Sequence, residues 1–370
     1  MIIVRTIGAR LGLLGNPSDG FGGKTLSTLI GDYYATVWLW ESPVLELQPH
    51  PLFDQTRFGS LADLDAIADR EGYYGGLRLV MATCRRFFLY CRQHGIELPD
   101  RNFTLAYHTS IPRQVGLGGS SAIVCGCLKA LMQFYELTDE QIPMPVQPNL
   151  VLEAEREELG IQAGLQDRVV QVYGGLIYMD FSPELMEKQG YGYYEPLPVD
   201  LLPPLYLAYA PGGKDSGRLH TPMRVRWERG DPEVHEVMAR LAEIAEEGRQ
   251  VLLQGNMERL GQLMNENFDL RRALYGEEGL GRESLEMIGI ARAMGLPAKF
   301  PGSGGAICGL LPDPEIVPEA RKRFQSRGYV FHQVTPVTRV RPSAESLKAS
   351  LQRVRAMRQC LPSEDWPRDG

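Results

Sequence analysis

Apolar positions in the first quarter of the chain fall in short β-branched and aromatic runs between Gly, Ser and Pro. That pattern predicts strands and tight turns, with strands over Tyr33–Leu39 and Val44–Leu47. A turn around Glu71-Gly72-Tyr73-Tyr74-Gly75-Gly76 opens an amphipathic helix from Leu77 to His94, and Asn102–His108 reads as another strand. A glycine-rich loop, Pro112 to Ser121, runs into an apolar helix ending near Tyr135. Pro148-Asn149 starts a helix through Glu158. A second helix is expected over Ile161–Tyr173, closed by Gly174-Gly175, and then a strand over Leu176–Phe181.

Composition shifts after Phe181. Polar sequence with Gly and Pro continues to Pro203-Pro204, where a domain boundary is expected. The second half carries charged helices with apolar residues at helical spacing: Pro232–Gln254, Met257–Tyr275 and Arg282–Met294. Strands are expected over Pro297–Phe300 and Ala306–Leu311, with a second glycine-rich turn between them, and then a helix–strand pair over Ile316–Val334. The tail from Leu361 is polar and is expected to fray. The division is thus residues 1–200, residues 201–345, and a C-terminal helix and tail over 346–370. A chain of 370 residues is too long for one compact core and suits two domains.

Composition narrows the function. With 44% hydrophobic and 23% charged residues the chain is globular in type. A net charge of -7 argues against a nucleic-acid partner, which requires a basic footprint. Met1–Arg5 shows no signal-peptide pattern, and the uncharged stretch Val115–Leu128 is too short to span a bilayer. Cys84, Cys91, Cys125, Cys127, Cys308 and Cys360 form no CxxC pair, so reduced thiols and a cytoplasmic location are expected. The histidines are scattered without zinc-site spacing.

Four segments carry candidate chemistry. Ala9 to Asp19 delivers Asn16, Ser18 and Asp19 into a turn, and such side chains hydrogen-bond sugar hydroxyls; a plain turn has the same composition. Pro112 to Ala122 combines Gly116, Gly118 and Gly119 with Ser120, Ser121 and a helix start. Glycine lets backbone N–H groups approach phosphate oxygens, and the helix N-terminus adds positive potential. It is neither a Walker A loop, because no GK[ST] follows, nor a Rossmann fingerprint. Lys299 to Ala306 is a further glycine turn, either a hairpin with a functional tip or only a hairpin. Glu155 and Asp167 supply carboxylates; a helix-capping Asp and surface Glu residues would read the same way.

In this order, the segments resemble the GHMP kinase superfamily, whose phosphate loop has a Pro, a few variable residues, Gly-Leu and a Ser pair. Arg10–Asp19, Gly72–Gly76, Ile111–Gln114, Gly164–Arg168, Tyr173–Gly175, Asn265–Arg272 and Lys299–Ala306 together are similar to the glucuronokinases of plants. The resemblance implies a two-domain α+β fold. Its N-terminal ATP-binding domain would be like ribosomal protein S5 domain 2, its C-terminal domain ferredoxin-like, and its active site would lie in the cleft between them. It implies ATP and Mg²⁺ as cofactors and a sugar acid as substrate, phosphorylated at its anomeric hydroxyl.

By the same resemblance, Pro112, Gly116, Leu117, Gly118, Gly119, Ser120, Ser121 and Ala122 wrap the ATP phosphates. Glu155 with Ser120, or Ser121 if the loop is shifted, holds the metal. Asp167 is the general base, with Arg10 near the reacting oxygen. Arg10, Asn16, Asp19, Arg168, Tyr173, Gly174, Gly302, Ser303 and Gly304 face the substrate. Asn16-Pro17 departs from the Glu-His of galactokinase, which counts against galactose. Glucuronate also needs a cation for its carboxylate, and Arg113, Arg168, Arg271, Arg272 and Lys299 are all candidates. A galacturonate, fucose or heptose kinase, or a non-catalytic sensor on the same scaffold, are the alternatives.

Overall fold

The computed structural model describes residues 2–56, 58–71, 75–211 and 220–359. The turn motif of Gly72-Tyr73-Tyr74 and the tail from Leu361 lie outside the described residues.

The N-terminal half is built on a long hairpin. Strand β1 (Ile2–Leu14) pairs antiparallel with β2 (Lys24–Glu41), in register from Ile2↔Trp40 to Leu14↔Leu26, with irregularities at Gly8/Ala9 and Gly12/Leu14. From Ile7 to Leu14 every residue of β1 is buried, so the strand reads as a continuous apolar run rather than an alternating one. The other side of β2 is shared by β4 (Phe103–Thr109) and β5 (Leu176–Asp180); β3 (Glu46–Leu47) and β6 (Tyr193–Leu197) complete the sheet in the order β3-β4-β2-β5-β6. Helices α1 (Leu61–Glu71), α2 (Gly76–Gln93), α3 (Gly119–Phe134), α4 (Gln147–Arg156), α5 (Gln166–Tyr173) and α6 (Pro183–Gln189) accompany it. The apolar α3 packs on β1 and β2 and is flanked by α2, α4 and α5.

The second half holds an antiparallel sheet of β7 (Leu205–Tyr209), β8 (Ala306–Leu310) and β9 (Val330–Val334), in the order β8-β7-β9. Helices α7 (His220–Glu228), α8 (Pro232–Leu253), α9 (Met257–Leu280), α10 (Arg282–Ala293) and α11 (Val317–Gln325) surround it, and α12 (Ala344–Gln359) follows. A ferredoxin-like unit runs β-α-β-β-α-β. Here the second of those strands is reduced to one bridge, Lys299↔Cys308, beside β8. The halves are joined through side chains and backbone: α8 and α9 pack against β1 and β2, and the Gly12 amide donates to the Pro301 carbonyl.

The structure departs from the expected elements in a few places. The helix expected over Ile161–Tyr173 begins only at Gln166. Residues ahead of it form no helix, and side chain and backbone elsewhere use their polar groups: the Ile161 amide donates to Glu155 O, and Gly164 O accepts from the Arg168 side chain. Pro297–Phe300 forms the bridge rather than a strand, since its Lys299 side chain turns inward to bond β1. The polar stretch before Pro203 contains α6 and β6, so the first sheet extends to Leu197. Helix α9 bends at Gly276 (φ 71) and continues past Tyr275 to Leu280.

Candidate active site

Two glycine turns meet at the end of β1. Gly116 (φ 70) and Gly118 (φ 71) both adopt the left-handed conformation that glycine alone tolerates freely. A Cβ on Gly116 would stand 2.9 Å from the Ser303 amide nitrogen, so the loop before α3 closes directly on the turn over Pro301–Gly305. Strand β1 ties both: the Arg10 amide donates to Leu117 O, and the Arg10 guanidinium donates to the carbonyls of Gly116, at 3.0 Å, and Pro301. Among the described residues no side chain caps α3. The amides of its first turn, at the positive end of the helix, are thus free of a side-chain cap and suited to an anion.

Beneath Gly118 lies a chain of alternating charges. Arg10 Nε and Nη2 lie 2.8 Å and 2.6 Å from Asp167 Oδ1. A Cβ on Gly118 would be 3.1 Å from Asp167 Oδ2. Arg168 Nη1 lies 3.6 Å from that same Oδ2 and donates to Gly164 O, while Nε and Nη2 donate to Glu155 Oε2. The other oxygen of Glu155, Oε1, accepts from Ser120 Oγ at 2.7 Å. Burial pushes the Asp167 carboxyl up, but the guanidiniums of Arg10 and Arg168 outweigh it and hold the group below the usual carboxylate range. Glu155 is fully buried, which a solvated surface Glu would not be. Asp167 sits inside the first turn of α5 rather than capping it; the Gln166 amide there donates to Asp19 Oδ2 at 3.3 Å.

The turn after β1 is held from the second domain. Lys299 Nζ donates to Gly12 O at 2.8 Å, Phe300 O at 2.8 Å and Asn16 Oδ1. Asn16 Nδ2 donates to Phe300 O, and Asn267 bridges the Gly15 amide and the Asn16 carbonyl. Burial pulls Lys299 down to about 7. Burial, with the Asp167 charge adding to it, raises Asp19 to about 6.

The residues singled out in the sequence therefore divide. Arg10, Asp19, Gly116–Ser121, Glu155, Asp167, Arg168 and Gly302–Gly304 are brought together. Ser121 turns inward, its Oγ donating to Gly118 O at 3.1 Å, so Ser120 is the serine beside Glu155. Asn16 is buried and engaged by Lys299. Tyr173 and Gly174 are at the opposite end of α5 from Asp167: Tyr173 packs edge-on to Tyr194, and Gly174 abuts Thr338. Among the candidate cations, Lys299 has all three N–H groups on protein oxygens, and Arg272 pairs with Glu277 on the surface. Arg113 lies over the Phe53 ring.

Sequence reasoning missed Gln171, whose Nε2 donates to Gly118 O at 2.8 Å and steadies the glycine loop. Its placement one turn after Asp167 on α5 was the available signal. Among the described residues no group of three His, Cys, Asp or Glu side chains could hold a metal. Ser120 Oγ and Glu155 Oε1 are nonetheless hard oxygen donors side by side. That is the small protein share Mg²⁺ takes when phosphates and water complete its shell.

The profile for the GHMP kinases N terminal domain matches residues 78–175, and that for the GHMP kinases C terminal part matches 249–330. The chain is 49% identical over 328 residues to probable glucuronokinase 2 of Arabidopsis thaliana, covering 88% of this chain and 89% of that protein. It is 47% identical to glucuronokinase 1 of the same plant, with 88% and 90% covered. Lactococcus lactis galactokinase, solved with galactose, superposes with a TM-score of 0.68 at 17% identity, covering 92% of this chain and 94% of that one.

Proposed function

This chain belongs to the GHMP kinases, and from that premise we propose that it transfers the γ-phosphoryl group of ATP to the anomeric hydroxyl of D-glucuronate, yielding glucuronate 1-phosphate and ADP. Residues 1–200 form the ATP-binding domain and 201–345 the second domain in this reading. The observation that carries the chemistry is the Asp167 carboxylate directly beneath Gly118 of the phosphate loop. The substrate rests on the two plant relatives, which are named glucuronokinases.

Phosphoryl transfer depends on alignment and charge neutralisation more than on covalent help. The open amides of the first turn of α3 take the phosphates, with Gly116 and Gly118 allowing close approach. Asp167 Oδ2 receives the proton as the anomeric O–H bond breaks and that oxygen bonds to the γ-phosphorus. The bond from the γ-phosphorus to the β,γ-bridging oxygen breaks, and ADP leaves with that oxygen. Arg10 orients Asp167 and keeps it ionised. The Ser120 hydroxyl and Glu155 Oε1 would hold Mg²⁺, with Arg168 fixing Glu155. When bound, the ion supplies neutralisation of charge on the phosphate oxygens.

No described helix is long and apolar enough to cross a membrane, and the five described cysteines are free thiols, which supports a cytoplasmic location. The test is ADP release with D-glucuronate, D-galacturonate, D-glucose and D-galactose side by side. Turnover confined to D-glucuronate is expected. A higher kcat/KM for any of the others replaces it as substrate, and no turnover with any sugar acid overturns the kinase reading.

A further inference from the structure

A hexuronate differs from its parent hexose by a carboxylate at C6, and the cations beside Asp167 are already engaged. Arg10 is paired with Asp167, Arg168 with Glu155, and Lys299 has its N–H groups on neutral oxygens. Arg271 on α9 is different. It is fully buried, yet among the described residues its hydrogen bonds go only to neutral carbonyls: Nη1 to Gly302 O at 2.8 Å and Nη2 to Ser303 O at 3.5 Å. Among the described residues its Nε, also buried, has no acceptor. One helical turn on, the buried hydroxyl of Tyr275 likewise has no partner.

Arg271 reaches the substrate end of the site, and the Tyr275 ring lies beside its guanidinium. Arg271 holds the turn of Gly302, which closes on Gly116 and lies against Arg10: a Cβ on Gly302 would stand 3.0 Å from Arg10 Nη1. The guanidinium is fixed in orientation, 5.2 Å from the Phe300 ring centre and 5.7 Å from that of Tyr275. Aromatic faces soften the cost of a buried cation but bring no anion. A donor left without an acceptor in a buried site is costly in the same way. The Nε–Nη2 edge is the fork that Arg10 and Arg168 each turn toward a carboxylate, and in Arg271 it is held, among the described residues, only by the long contact to Ser303. An arriving carboxylate would satisfy both that edge and the tyrosine hydroxyl.

We infer that Arg271 and Tyr275 form the subsite for the C6 carboxylate of the hexuronate, Arg271 through its Nε–Nη2 edge and Tyr275 through its hydroxyl. The inference rests on the hexuronate-kinase reading above and adds the residues that would set its specificity.

The experiment compares wild type, Arg271→Gln and Tyr275→Phe for kcat and KM on D-glucuronate, D-glucose and ATP, with melting temperature as a control. Arg271→Gln is expected to raise KM for D-glucuronate about 10- to 100-fold, the loss of one charge-assisted bond, with KM for ATP unchanged. Preference over D-glucose should fall by the same factor. Tyr275→Phe, which leaves packing intact, should raise the glucuronate KM several-fold. A folded Arg271→Gln that keeps its glucuronate KM, or loses kcat equally on both sugars at unchanged KM, overturns the subsite alone. Should Arg271→Gln not fold, an unchanged KM in Tyr275→Phe does the same. A wild-type protein inactive on hexuronates overturns this inference and the substrate reading together.

Discussion

Both contacts from Arg10 to Asp167 fall on one oxygen, Oδ1, at 2.8 Å and 2.6 Å, and Oδ2 is left facing Gly118. The arginine thus orients the carboxylate and lowers its proton affinity without blocking the oxygen on the phosphate side. Replacing Asp167 by Asn keeps the shape and removes the base. Positioned general bases contribute roughly 10²–10⁴-fold. Asp167→Asn should lose about that much kcat in an ADP-release assay while calorimetry shows ATP binding within a few-fold of wild type. A variant with more than half the wild-type kcat removes Asp167 from the mechanism.

Adjacent serines should separate cleanly. Ser120 Oγ meets Glu155 Oε1 at 2.7 Å, whereas Ser121 Oγ bonds back to its own loop at Gly118 O. Ser120→Ala should raise the Mg²⁺ concentration for half-maximal rate by about tenfold or more, equivalent to about 1.4 kcal/mol of lost ligation. Ser121→Ala should leave the Mg²⁺ titration in place and lower the melting temperature, because it empties a fully buried position. The reverse assignment of effects would make Ser121 the ligand.

What could be read before the structure follows from how local each signal is. The loop over Gly116–Ser121 was legible because glycine spacing and a following apolar helix are properties of contiguous residues. Its serine choice was not, since Ser120 and Ser121 differ only in which way α3 turns them. The roles of Gln171 and Asn267 were hidden because a neutral amide becomes informative only when its acceptors, Gly118 O and Asn16 O, arrive from remote segments. Lys299 looked like a free cation for a substrate carboxylate. The fold instead consumes its N–H groups on the turn after β1. Ile161–Leu165 carried helical spacing, but capture of Gly164 O by Arg168 overrode that local preference.

That engagement of Lys299 has a stability consequence. Its ammonium joins the second domain to Gly12 and Asn16 of the first, at a fully buried site. Lys299→Met would fill the space but leave the Gly12 carbonyl and Asn16 Oδ1 without that donor. Each buried unsatisfied group costs about 1–3 kcal/mol. Partly offsetting this, wild type bears the cost of burying a charge that Met does not. A net loss of about 1–3 kcal/mol in urea unfolding is expected, with the Asn16 turn loosened and activity falling in step. An equally stable Lys299→Met would show that these three bonds contribute no net stability.

Asp19 offers the opposite balance. Burial, joined by the negative charge of Asp167, raises its pKa to about 6, against roughly 3.9 for an Asp in an unfolded chain. The folded state therefore binds the proton more tightly than the unfolded one. Stability is unaffected by this group below about pH 4, falls as pH rises from about 4 to 6, and stays reduced above that. A shift of about two units corresponds to at most about 2–3 kcal/mol. Asp19→Asn removes the ionisation cost while its side-chain oxygen can still accept from the Gln166 amide, so it should melt higher than wild type at pH 7.5 and equally at pH 4. If ionised Asp19 accepts a sugar hydroxyl, kcat/KM for the sugar in wild type should decline as pH drops through about 6, and the variant should lose that limb along with much of its sugar affinity. Higher melting at both pH values would show that Asp19 does not bear this electrostatic cost, and a wild-type sugar profile flat from pH 5 to 8 would show that it does not titrate in the site.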